Sequence, residues 1–294
     1  MTARDAGEGL TERYLTLRDG RSMRVVEGGA RGPALFFECG LGNAAGTWIG
    51  VQRILAASCR TLSYDRAGLG GSDVSPQSRT INAMAGDALR VLDAAGIDEP
   101  VVLVGHSWGG PIIRLIEERA PGRVTGLVLV DPTFSAVFGD RSMRGVRAMY
   151  ARWQWASQLG FRRRLLRPFA DGRWPEYTPH DLAVALEDQL TVRDLRTARR
   201  ELRELYRSRE VVARLESSPS SVPIRFLIGM RRVEPLRSLM AAEAARIAAL
   251  SPQGESVEIE DSGHSIQQER PGRTAQEILR FVAENATTAS GSAS

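Results

Sequence analysis

The chain has 294 residues, 43% apolar and 25% charged, the composition of an ordinary soluble globular protein. No apolar run approaches the ~20 residues a bilayer-spanning helix needs, and the two cysteines, Cys39 and Cys59, imply no disulfide framework. The net charge is +4, and all 39 basic residues are arginine. The stretch Met1–Gly9 is polar and has no hydrophobic signal core, so the expected location is cytoplasmic, with no membrane partner.

In chain order, short apolar or alternating runs predict eight strands. They lie near Tyr14–Leu17, Met23–Glu27, Ala34–Glu38, Thr61–Tyr64, Val101–Val104, Leu127–Val130, Ile224–Ile228 and Ser256–Ile259. Helical periodicity falls between them, near Trp48–Ala57, Thr80–Ala95, Pro111–Arg119, Leu236–Leu250 and Arg273–Glu284. This alternation predicts a mostly parallel, doubly wound sheet, with the first two strands as an antiparallel edge. Residues 10–133 and 222–285 are expected to form this core, with flexible termini at 1–9 and 286–294.

Residues 134–221 break the rhythm: helical stretches at Arg141–Gln158, Arg162–Phe169, Asp181–Leu190 and Asp194–Leu215, and no strand. Flanked by strands on both sides, the segment reads as a helical cap inserted into the core. It carries Trp153, Trp155 and Trp174, which either line a binding cleft or form the cap's own core. It also holds 17 Arg against 11 Asp plus Glu. Arginines and acids are interleaved there, as in Arg193-Asp194 and Arg199-Arg200-Glu201, which reads as a solvated helix surface laced with ion pairs and not as a nucleic-acid face.

The chemistry centres on Gly105-His106-Ser107-Trp108-Gly109. It matches G-x-S-x-G, where a serine sits on a sharp strand-to-helix turn. The buried-strand run Val101–Val104 precedes it, and helically spaced Ile112, Ile113, Leu115 and Ile116 follow. A serine hydroxyl needs a base to take its proton, and histidine has the suitable pKa. His106 adjoins Ser107 and points elsewhere on a tight turn, and His180 lies in the cap. His264, in a loop after the last strand, falls at the same carboxyl-terminal edge as Ser107 and is the chosen base. The backbone N–H of Trp108 and, from the glycine-rich loop Cys39–Asn43, that of Leu41 are the expected oxyanion donors.

The chain resembles enzymes of the α/β-hydrolase fold with a helical cap, the branch of small bacterial esterases, dehalogenases and cofactor-free haloperoxidases. Five motifs carry the resemblance: Glu38-Cys39-Gly40-Leu41-Gly42, Tyr64–Ser72, the elbow, Leu127–Asp131 and Ser262-Gly263-His264. It implies an eight-stranded core and a triad in the order Ser, acid, His. It also implies that Asp65 and Arg66 hold a loop near the site without acting chemically. Most relatives place the acid after the seventh strand, where this chain offers only Glu234. Some place it after the sixth, where Asp131 stands. Asp131 is the first choice and Glu234 the alternative. Glu38 departs from the usual His-Gly turn. It either braces the oxyanion loop, contacts substrate or lies exposed at the strand end.

A serine nucleophile points to acyl transfer on a small to medium, largely apolar ester or lactone. The same residues could serve a perhydrolase, a haloperoxidase-like enzyme or a C–C hydrolase, and a ligand receptor with little turnover is the reading outside enzymes. No metal, cofactor or nucleic-acid partner is expected.

Overall fold

The computed structural model describes residues 4–7, 9–170, 174–187 and 189–291. Nine strands form one sheet: β1 (Arg4–Gly7), β2 (Leu10–Thr16), β3 (Ser22–Gly28), β4 (Ala34–Glu38), β5 (Arg60–Tyr64), β6 (Val101–His106), β7 (Val124–Val130), β8 (Ile224–Gly229) and β9 (Glu255–Ile259). Their spatial order is β1-β2-β3-β5-β4-β6-β7-β8-β9. The pairings β1–β2, β2–β3 and β3–β5 are antiparallel, and the rest are parallel. The eight expected strands are all present. The ninth, β1, extends the antiparallel edge within the stretch read as a flexible terminus.

The core helices are α1 (Ile49–Leu55), α2 (Ile81–Ala94) and α3 (Gly109–Arg119) before the insertion. Between β7 and β8 lie α4 (Asp140–Gln158), α5 (Arg162–Ala170), α6 (Pro179–Glu187), α7 (Val192–Arg207) and α8 (Arg209–Ser217). The chain closes with α9 (Leu236–Ala248), α10 (Ile266–Glu269) and α11 (Pro271–Gly291). Two helices, α7 and α8, stand where one run from Asp194 to Leu215 was expected. Ser208 interrupts it by turning its hydroxyl onto the Glu204 carbonyl at 2.7 Å. The expected flexible tail begins inside α11, and residues 1–3, 8 and 292–294 of the two expected flexible ends lie outside the described residues. No helix among the described residues is long and apolar enough to cross a membrane.

Strand alternation divides the interior into two layers. Leu35, Phe37, Val102 and Val104 pack with α1 and α11 on one face. Phe36, Leu103, Leu127 and Leu129 pack with α2, α3 and α9 on the other. Strands covered on both faces read as continuous apolar runs, and every residue of β4, β6 and β8 is buried. Thr80 caps α2 by accepting from the Ala83 N–H at 3.1 Å, and Thr191 caps α7 from Asp194 N–H at 3.1 Å.

The site follows from this topology. Chain order reverses about β4, which lies between β5 and β6. Because β4 and β6 to β9 are parallel, the loops leaving them all emerge at one edge of the sheet, where ligands bind in doubly wound folds. The cap helices rise over that edge.

Candidate active site

β6 delivers Ser107 into a turn with φ of 51°, a left-handed backbone that non-glycine residues rarely adopt. Such strain costs on the order of 1–3 kcal/mol and persists only when the surroundings hold it. Here the Ser107 N–H donates to the Val130 carbonyl at 3.0 Å, and the N–H groups of Gly110 and Thr133 donate to the Ser107 carbonyl at 3.0 Å. A Cβ on Gly105 would lie 2.7 Å from the Gly109 carbonyl oxygen, and one on Gly109 would lie 2.5 Å from that of Glu38. Neither backbone can retreat, so the start of α3 reaches the sheet only with glycine at both positions.

The structure brings Ser107, His264 and Asp131 together from three loops. Ser107 Oγ is 3.0 Å from His264 Nε2, and His264 Nδ1 is 2.5 Å from Asp131 Oδ2. Asp131 follows β7 directly, also at positive φ (46°), and is wholly buried. Burial pushes its carboxyl up. The hydrogen bonds and charges of His264 and Arg232 outweigh that and hold it below the usual carboxylate value. Thr133 Oγ1, 3.3 Å from Ser107 Oγ, is a second neighbour of that hydroxyl that no motif announced.

Arg232 is the larger omission from the sequence reading. The loop after β8, where the alternative acid Glu234 stands, supplies a cation instead. Arg232 Nη1 donates to Asp131 Oδ1 at 2.7 Å, Nη2 donates to Oδ2, and the Gly229 N–H adds a bond to Oδ1 at 3.0 Å. Nη2 also lies 3.3 Å from His264 Nδ1. Glu234, the alternative acid, is exposed and accepts from the N–H and hydroxyl of Ser238 at 3.2 and 2.8 Å. It makes no contact with His264 among the described residues.

Glu38 neither reaches the cleft nor lies exposed. It is fully buried, accepting from Tyr64 Oη at 2.6 Å and Arg66 Nη1 at 2.7 Å. Arg66, equally buried, donates onward to the carbonyls of Cys39 and Gly40 at 2.5 and 2.6 Å. Its Nε and Nη2 each reach Glu201 of α7 at 2.8 Å. Glu201 in turn accepts from the Gly42 N–H at 3.1 Å. Two carboxylates and one guanidinium thus lock the turn Cys39–Gly42 from below and join it to the cap. Asp65 fixes the neighbouring loop through the N–H groups of Ala45 and Gly71, at 2.7 and 2.8 Å. The N–H groups of Leu41 and Trp108 have no protein acceptor among the described residues. Burial pushes the Cys39 thiol far above its usual value, so it stays protonated.

His106 points away from Ser107. Its Nε2 meets the His264 carbonyl oxygen at 2.9 Å, and its ring lies 4.8 Å from that of His264. Burial pushes its pKa down to about 3, which keeps it neutral. It therefore donates to the His264 carbonyl and shapes the floor of the site.

Above Ser107 and His264 is a cavity of about 420 Å³. Ser107, His264, Leu41 and Thr133 form its base, and its walls are mostly apolar side chains of the cap such as Met143, Tyr150, Leu195 and Leu205. Trp153 and Trp174 line it, whereas Trp155 is 65% exposed and lies outside. A helical cap has two faces, and Trp155 sits on the outer one.

The sequence matches the alpha/beta hydrolase family over residues 35–277. The probable transporter efuK of Hormonema carpetanum is 31% identical over 229 residues, 75% of this chain and 30% of that protein. Epoxide hydrolase A of Mycobacterium tuberculosis is 26% identical, over 92% of this chain and 97% of that one. The chain spans less than half the length of the curated relatives it matches first, between 30% and 41%. In structure it is similar to potato (Solanum tuberosum) epoxide hydrolase I, with a TM-score of 0.75 and 19% identity, over 94% of this chain and 99% of that one. The match runs from β4 into α11, and this chain belongs to the alpha/beta hydrolase family.

Proposed function

We propose that the chain is a serine hydrolase cleaving a small to medium, largely apolar carboxylic ester or lactone through an acyl-enzyme intermediate. The observation that carries this reading is the unbroken line from Ser107 Oγ to His264 Nε2 (3.0 Å) and from His264 Nδ1 to Asp131 Oδ2 (2.5 Å). Ser107 attacks the carbonyl carbon while His264 takes its proton. Asp131 holds the Nδ1–H tautomer and stabilises the imidazolium. The N–H groups of Leu41 and Trp108 receive the oxyanion, where each donor is worth on the order of 10²–10³ in rate. His264 then protonates the leaving oxygen. Water enters, gives its proton to His264 and attacks the acyl carbon; the acyl–Oγ bond then breaks, His264 returns the proton to Ser107 Oγ and the acid leaves. The apolar cavity walls support a substrate with little charge.

The relatives named as epoxide hydrolases raise a competing substrate class. A serine oxygen opening an epoxide would leave a serine ether, which has no carbonyl for water to attack. A carboxylate at the elbow would leave an ester that can be cleaved. Ser107 therefore favours acyl transfer.

The experiment is hydrolysis of a p-nitrophenyl ester series by the full chain and by Ser107→Ala. The variant is expected to lose turnover while keeping its circular-dichroism spectrum, and a fluorophosphonate probe should label the parent at Ser107 alone. Retained turnover in the pure variant overturns the reading.

A further inference from the structure

The interleaved charges of the cap predict ion pairs, and on α7 that pairing is largely missing. The helix sorts its charges by face. Asp194 and Glu201 point inward, Asp194 accepting from the Gly70 N–H at 3.0 Å and Glu201 serving Arg66 and Gly42. Arg193 turns to the carbonyls of Gly70 and Ser72. Arg196, Arg199, Arg200, Arg203 and Arg207 remain on the outer face, all exposed. They recur over three turns, a row of about 16 Å at 1.5 Å per residue.

Across from them, Arg147 of α4 stacks on Tyr206, 5.4 Å from the ring centroid. The six arginines line a groove of about 550 Å³ that holds no carboxylate among its walls. Arg199 meets the neutral Gln154 at 2.7 Å, and only Arg207 has an acid, Glu204, at 2.9 Å. Arg196, Arg200 and Arg203 have no partner among the described residues. Like charges at i, i+4 repel, as in Arg196–Arg200 and Arg199–Arg203, and among the described residues none of these four makes an ion pair. A concave row of uncompensated cations raises the local concentration of anions, and guanidinium forks bind phosphate oxygens two at a time. The row is too long for one phosphate.

We infer that the outer groove between α4 and α7 is a binding site for a phosphate-bearing anion with at least two phosphate groups. It is separate from the hydrolytic cavity, and Leu202 stands in the wall of both.

The test titrates the full chain with inorganic tripolyphosphate by calorimetry. Vesicles of phosphatidylcholine, alone and mixed with cardiolipin, whose headgroup carries two phosphates, form a second arm. Saturable tripolyphosphate binding that weakens at least tenfold in R200Q/R203Q, and not in R18Q on the β2–β3 turn, supports the site with a soluble ligand. Selective pelleting with cardiolipin vesicles, lost in the same double variant, supports it with a lipid headgroup as the source. Near-ultraviolet circular dichroism checks that the variants are folded. Three results overturn the proposal: no binding of either probe, binding unchanged in the double variant, or sulfate binding as tightly as tripolyphosphate at matched ionic strength. Capture of a DNA duplex without tripolyphosphate binding also overturns it.

Discussion

Arg232 grips both carboxylate oxygens of Asp131, and its Nη2 lies 3.3 Å from the His264 nitrogen that shares the same carboxylate. Asp131 is wholly buried, so its charge depends on the partners it keeps. Arg232→Gln leaves it the Gly229 N–H and His264, and removing one member of a buried charge pair typically costs about 3–5 kcal/mol. Urea unfolding should register that loss, and Arg232→Lys, which keeps the charge, should lose less. A glutamine variant as stable as the parent would show that the pair adds nothing to the fold.

Asp131 and Glu234 can be separated by neutral isosteres. Asp131→Asn leaves His264 with an amide that no longer enforces the Nδ1–H tautomer, and kcat should drop by about 10⁴. Glu234→Gln alters an exposed group bonded to Ser238 and should stay within about twofold, as surface changes usually do. Steady-state ester kinetics on the two variants decide the matter, and the reverse ranking would move the acid to the loop after β8.

The Glu38–Arg66–Glu201 cluster predicts linked losses of stability and rate. Glu201→Gln leaves a buried guanidinium with one carboxylate and weakens the acceptor for the Gly42 N–H. Breaking such a pair typically costs about 3–5 kcal/mol. Urea unfolding should register that loss. Kinetics should show kcat falling more than KM rises, because the turn beneath Leu41 loosens while the apolar walls remain. Unchanged kcat in a destabilised variant would separate the cluster from the oxyanion turn.

His106 makes the fold acid-sensitive. It stays neutral in the folded chain down to about pH 3, whereas an unfolded histidine protonates near pH 6.5. Its folded pKa is depressed, so the unfolded state binds the extra proton. Stability then falls as pH drops below about 6.5, by about 1.4 kcal/mol per unit, until the folded group itself titrates. His106→Asn should remove that component. The gap between parent and variant unfolding free energies, measured by urea titration at several pH values, should narrow on acidification. A constant gap would show that His106 is not buried neutral.

Most of the hydrolase fold was legible because its signals are local. Apolar runs of five or six residues mark strands buried on both faces, and G-x-S-x-G marks a turn whose geometry depends on two neighbouring glycines. Missed features were those where backbone pairing overrides composition, such as β1, or where one hydroxyl interrupts a periodic pattern, as Ser208 does between α7 and α8.

The sequence by itself determined the order of elements and the family, and it offered Ser107 and His264, with Asp131 ahead of Glu234 as the acid, because each sits in a short motif with its own backbone requirement. Tertiary structure alone decided which distant side chains meet. Arg232 reaches Asp131 across 101 positions and Glu201 reaches Arg66 across 135. Pairings of that separation leave no periodicity in either segment. The same holds for the facing of α7. Its acids and arginines are interleaved along the chain, and only packing against the core shows that the acids turn inward and the arginines are left on the outer groove.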